Sequence, residues 1–219
     1  MTPTIRRATE ADLEPCYDIC LRTGWSGGDA TGHYADPTLL GSVYGGPYLL
    51  LPEGVGFVAE DAEGVAGYVL GTPDTRRFEA ACEERWWPVL RQEHPDPGPA
   101  PATPDDRLRA HIHRPPVTPP EVVARHPAHL HIDLLPRLQG TGAGRALLER
   151  LLERLADDGA VGVHLGVGRA NEHAVGFYRH LGFVTLREET DALWLGRGLG
   201  RGLGRELRDG AVPRPRGRR

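Results

Sequence analysis

Leu130, Ile132 and Leu134 alternate with His129, His131 and Asp133, the period-two signature of a strand. Pro136 has no amide hydrogen to donate and ends that pairing. Further on, Leu147, Leu148, Leu151, Leu152 and Leu155 fall on one side of a 3.6-residue helix. Gly140, Gly142 and Gly144 stand between strand and helix, where a bare backbone can approach a ligand. The chain is organised around this strand, turn and helix.

The same patterns place the other elements. Residues 4–8 predict a first strand, and Thr9 with Asp12 three positions on predicts a capped helix start. Leu13, Tyr17, Cys20 and Leu21 are expected to line that helix's apolar stripe, with Gly24 ending it. A short helix is expected to begin within 36–40. Residues 55–61 and 64–70, around the turn Ala62-Glu63-Gly64, read as an antiparallel hairpin. Residues 75–91 read as one helix carrying Trp86 and Trp87, and successive positions differ by about 100°, so one tryptophan is expected in the core. Val161, Val163, Leu165 and Val167 alternate with Gly162, His164, Gly166 and Gly168 in another strand. A helix over 171–181, stopped by Gly182, and strands over 184–188 and 192–195 complete the pattern.

Composition refines this picture. The 219 residues, 39% hydrophobic, suit one domain over 1–199. Within it, 94–120 holds nine prolines in 27 residues, which excludes a long helix or a central strand. Both flanks are needed for one sheet, so this reads as an ordered insertion with a short helix near 105–111, and another is expected over 121–125. Cys16, Cys20 and Cys82 give no disulfide framework and read as reduced core thiols. No apolar run approaches the roughly 18–20 residues needed to span a bilayer. The first residues lack a signal peptide's hydrophobic region, so a cytoplasmic location and no membrane partner are expected. From Arg197 onward eight arginines face two acids, leaving the preceding residues at −10 within a net −4. An acidic body suits a cationic acceptor better than nucleic acid. The basic, low-complexity segment 200–219 is expected to be disordered.

Exposed amides at a helix start form an anion site. A nucleotide P-loop needs a lysine, and the chain has none. The dinucleotide fingerprint fails too, since Arg145 and Leu147 stand where its third glycine belongs. Gln139-x-x-Gly142-x-Gly144 instead resembles the pyrophosphate-binding motif of the GCN5-related N-acetyltransferases (GNAT). Asn171-Glu-His-Ala-Val-Gly-Phe-Tyr-Arg-His-Leu-Gly-Phe183 resembles a late segment of the same superfamily. Gly67-Tyr-Val-Leu-Gly71, His111-Ile-His-Arg-Pro-Pro116 and His131-Ile-Asp-Leu-Leu-Pro136 are similar to the acetyltransferase-like C-terminal domain of O-GlcNAcases and its bacterial relatives.

The resemblance implies an α/β fold with a mixed, mostly antiparallel sheet of about seven strands flanked by helices. It implies acetyl-CoA as co-substrate and direct acetyl transfer to a primary amine of a small molecule or peptide. A regulatory acetyl-CoA-binding module without turnover is the alternative. Cofactor contacts are implied for Leu134, Leu135, Gln139, Gly140, Thr141, Gly142, Ala143, Gly144, Arg145, Asn171, Phe177 and Tyr178. Tyr178 matches the usual general acid, and a phenol can donate a proton without being ionised at pH 7. Asp133 is favoured as base by the resemblance, while His131 starts from a better pKa. Trp25, Asp29 and Tyr34, in the loop after the first helix, are implied acceptor-site residues, and the proline-rich insertion is expected to shape that cleft. Alternate strand residues lie nearly 7 Å apart, so His129, His131 and Asp133 do not converge on one metal ion. A monomer and a homodimer fit equally.

Overall fold

The computed structural model describes residues 3–200. The expected tail over 200–219 therefore lies, from residue 201 on, outside the described residues. Seven strands form one sheet in the order β1-β2-β3-β4-β5-β7-β6. They are β1 (Thr4–Arg7), β2 (Val55–Asp61), β3 (Gly64–Thr72), β4 (Ala128–Leu134), β5 (Gly162–Gly168), β6 (Val184–Glu188) and β7 (Ala192–Gly198). Every pairing is antiparallel except β4 with β5. That parallel contact is brief: it joins Ala128 to Val163 and His129 to His164, and then the two strands part. Beyond it β4 pairs only with β3, through Gly67↔Leu134, and β5 only with β7. The parting positions the site.

Helices cover both faces. α8 (Ala143–Asp157) lays Leu147, Leu148, Leu151, Leu152 and Leu155 on one face, all five buried. α9 (Glu172–His180) follows β5, and its N-cap Asn171 accepts the Ala174 amide at 3.0 Å. On the other face α1 (Leu13–Thr23) lies over β3 and β4, entered through a single 3-10 turn whose Thr9–Asp12 capping box is formed. The apolar stripe of α1 is rotated from the expected one. Cys16, Ile19, Cys20 and Leu21 are buried, whereas Leu13 and Tyr17 are half-buried, because Tyr17 packs sideways on α2 (Leu39–Tyr44) at Gly41.

The further helices are α3 (Gly46–Leu50), α4 (Thr75–Ala81), α5 (Trp87–Glu93), α6 (Pro104–His113) and α7 (Pro120–Val123). The helix expected over 75–91 is real but interrupted by a π turn, Cys82–Trp86. The extra residue lets both tryptophans pack: Trp87 is buried, and Trp86 donates its indole N–H to the Ser42 carbonyl. The proline-rich insertion is ordered by long-range polar contacts. Buried Asp105 accepts the amides of Ala35 and Asp36, and Arg76 and Glu79 on α4 bond the carbonyl and amide of Thr118. β5 departs from simple alternation. Val161 lies outside the strand and is exposed, while His164, on the supposedly polar side, is buried because that face is covered too. No helix among the described residues is long and apolar enough to cross a membrane.

Candidate functional site

At the end of β4 the Leu135 amide donates to Ala66 on β3. Strand alternation turns the backbone groups of Leu134 and Ile132 to the opposite edge, where β5 has parted. The Leu134 carbonyl is taken by the Gln139 carboxamide at 2.9 Å. Gly140 and Gly142 sit at φ +71° and +89°, left-handed backbone that glycine adopts without strain, and they bend the chain sharply into α8. Thr141 closes the turn by donating its hydroxyl to the Leu138 carbonyl.

The first bond of α8 runs from the Ala146 amide to the Gly142 carbonyl. The amides of 143–145 therefore have no helical acceptor, and only Ala143 finds a weak substitute in the Thr141 hydroxyl at 3.4 Å. A Cβ on Gly142 would meet nothing within 4 Å, so the turn beside these donors is open. Phe177 from α9 packs beside Gly144 and Leu134 and closes the floor. Three outward amides at a helix start, with the exposed Arg145 beside them, are suited to a di-anion.

On the sheet's α1 face, a cavity of about 490 Å³ opens at the parting of β4 and β5. His129, Leu130 and His131 line it from β4, and His164, Leu165 and Gly166 from β5. Tyr44, Tyr48, Phe78, Trp87 and Trp194 supply aromatic walls. His111 and the stretch from Pro115 to Thr118 bring the proline-rich insertion into the wall. Burial lowers the pKa of His111, His131 and His164 to about 4, so all three are neutral at pH 7. The two acids of the wall are occupied: Glu79 by Arg76 and Thr118, Glu83 by Arg91.

The sequence-expected residues are thus divided. His131 lines the cavity. Asp133, two residues on, does not; its carboxylate accepts the Tyr68 hydroxyl at 2.6 Å. Tyr178 is buried in α9, its pKa raised by burial and then by the nearby Asp133 carboxylate. Trp25, Asp29 and Tyr34 do not line the cavity. Trp25 stacks on His33 at 3.8 Å, Asp29 binds Thr31, and Tyr34 packs against the core. Their loop instead passes close to Asn171 at Gly27. Tyr44, Tyr48, His111, His164 and Trp194 are wall residues that sequence reading missed. The one local signal was the aromatic and histidine content of segments otherwise read as short helix, insertion or strand.

Burial holds the Asp133 pKa up, to about 6, against the hydrogen bond from Tyr68. The folded value lies above the ordinary one, so the folded chain binds the extra proton between the two. The stabilisation is full at low pH and is lost as pH rises through about 6. Asp133→Asn removes this ionisation and is expected to raise the melting temperature at pH 7, by up to about 2–3 kcal/mol of stability. Near pH 4 it should change little. Melting curves at both pH values check this, and an equal shift at both would contradict it.

Residues 30–183 match the family model described as the acetyltransferase (GNAT) family. The crystal structure of SsHAT is 40% identical to this chain, with a TM-score of 0.85, covering 91% of this chain and 100% of that one. Protein O-GlcNAcase of Rattus norvegicus is 26% identical over 202 residues. That match covers 90% of this chain and 22% of the relative, so the chain spans about a fifth of the curated relatives' length. A GNAT superfamily phosphinothricin acetyltransferase from Sinorhizobium meliloti, in complex with AcCoA, shares the fold at 21% identity and TM-score 0.54, with 97% of each chain covered. A family match across most of the sheet, and a 40% identical structure covered end to end, lead to one conclusion: the chain belongs to the acetyltransferase (GNAT) family.

Proposed function

We propose that this chain transfers the acetyl group of acetyl-CoA directly to a primary amine seated in the cavity. The observation that carries this reading is the trio of outward amides at 143–145, at the far end of the same strand whose His131 lines the cavity. The open space over Gly142 and the lack of helical acceptors fit a diphosphate. The relative from Sinorhizobium meliloti is an AcCoA complex, which supports the same choice of co-substrate.

Bound acetyl-CoA supplies an activated thioester; the chain supplies the rest. Amides from Gly140 to Arg145 hold the diphosphate, and Gln139, Thr141 and Ala143 shape the turn. The backbone of Leu134 and Leu135, with Asn171 and Phe177, borders the path toward the parting of β4 and β5. Tyr178 donates a proton to the leaving thiolate. His131 and Asp133 are the two groups available to take the proton of the amine, and His131 alone of the pair faces the cavity. Neutral histidines and occupied acids make the cavity a poor host for a charged ammonium, so the amine reacts as the free base.

The test is CoA release from acetyl-CoA across a panel of aryl, alkyl and peptide amines. Amine-dependent release above hydrolysis is expected. Release at the hydrolysis rate with every amine counts against the proposal. Acetyl-CoA binding without turnover is a second reading, favoured by the Asp133 carboxylate being engaged with Tyr68. Tight calorimetric binding with no amine-dependent release selects it.

A further inference from the structure

Four side chains, three of them in the cavity wall, form a hydrogen-bond chain whose direction is fixed from one end. The Thr75 hydroxyl donates to the Pro127 carbonyl at 2.7 Å, and a carbonyl can only accept. With its one proton committed there, Thr75 Oγ1 must accept from His129 Nδ1, also at 2.7 Å. His129 is buried between His131 and His164 and is held neutral, so its Nε2 carries no proton. The Tyr48 hydroxyl therefore donates to His129 Nε2 at 2.7 Å. The Tyr48 oxygen is left to accept, and its remaining neighbour is His131 Nε2 at 3.1 Å. His131 must carry its proton on Nε2, since the other tautomer would set lone pair against lone pair. Its Nδ1 is then bare and makes no protein hydrogen bond among the described residues, on a ring that lines the cavity.

We propose that Thr75, His129 and Tyr48 are positioning residues that lock His131 as the Nε2–H tautomer, so that its Nδ1 receives the proton of the acceptor amine. This rests on the acetyl-transfer reading above. As the amine nitrogen bonds to the thioester carbon and the C–S bond breaks, the nitrogen's proton passes to Nδ1. The thiolate takes its proton from Tyr178, and the proton on His131 returns to the Tyr178 phenolate through solvent, closing the cycle. Burial lowers the pKa of His131 to about 4, too weak a base to strip a free ammonium of pKa about 10. As the C–S bond breaks, the nitrogen becomes that of a protonated amide, acidic enough to yield its proton even to so weak a base.

The test uses the full chain labelled with nitrogen-15 histidine, read by long-range proton–nitrogen correlation at neutral pH. The expected spectrum shows His131 protonated on Nε2 and His129 on Nδ1. Tyr48→Phe should release the lock, giving a tautomer mixture at His131 and a fall in kcat of about 10-fold or more, with the KM for acetyl-CoA unchanged. Thr75→Val tests the chain from its other end should Tyr48→Phe fold poorly, and Thr75→Ser should restore the wild-type spectrum and rate. His131 protonated on Nδ1, or a tautomer indifferent to both variants, overturns the proposal. The expected spectrum without amine-dependent CoA release would instead overturn the acetyl-transfer reading alone.

Discussion

Tyr178→Phe is expected to lower the kcat for amine-dependent CoA release by about 100- to 10,000-fold, the usual contribution of a positioned general acid or base. The substitution removes one oxygen from a ring already packed between Phe177 and Phe183, so the core is kept. Burial and the Asp133 carboxylate hold the phenol's pKa above its ordinary value, so the proton is present throughout the working pH range. A thiolate with pKa near 8.5 accepts a proton from a phenol only when the two are in contact. The loss should therefore fall on kcat, with the calorimetric affinity for acetyl-CoA nearly unchanged. A variant that turns over at the wild-type rate would remove Tyr178 from the chemistry.

Gly142→Asp should weaken acetyl-CoA binding by about 100-fold, near 3 kcal/mol, without unfolding the chain. Gly142 stands at the N-cap of α8, and a carboxylate there competes with the diphosphate for the free amides of Gly144 and Arg145. It also adds a like charge beside the anion. The left-handed backbone costs a side chain about 1–2 kcal/mol, and the new cap offsets about half of that. No neighbour lies within 4 Å of the added Cβ, so packing is undisturbed. Calorimetry gives the affinity and a melting curve the stability. An unchanged affinity would place the diphosphate elsewhere.

The parts legible in sequence are those whose cause is local. The strand, turn and helix from Ala128 to Asp157 follow from alternation, glycine spacing and a leucine stripe, all within thirty residues. The Thr9–Asp12 box and the Asn171 cap are written within four residues each. The cavity was not legible because its contacts are long-range. Tyr48 meets His129 across 81 residues, and Asp105 holds Ala35 across 70. No spacing rule reports such pairs. The cavity is lined instead by α2, α3 and the proline-rich insertion, and the loop bearing Trp25, Asp29 and Tyr34 lies outside it. The burial of His164 is likewise invisible to alternation, which cannot tell that the second face of β5 is also covered.

A crystal structure of the chain with acetyl-CoA shows where the diphosphate and the acetyl group lie. The diphosphate is expected within hydrogen-bond distance of the amides of 143–145, and the acetyl group at the parting of β4 and β5 between Tyr178 and His131. Acetyl-CoA bound away from this turn, or its acetyl group pointing out of the cavity, would contradict it.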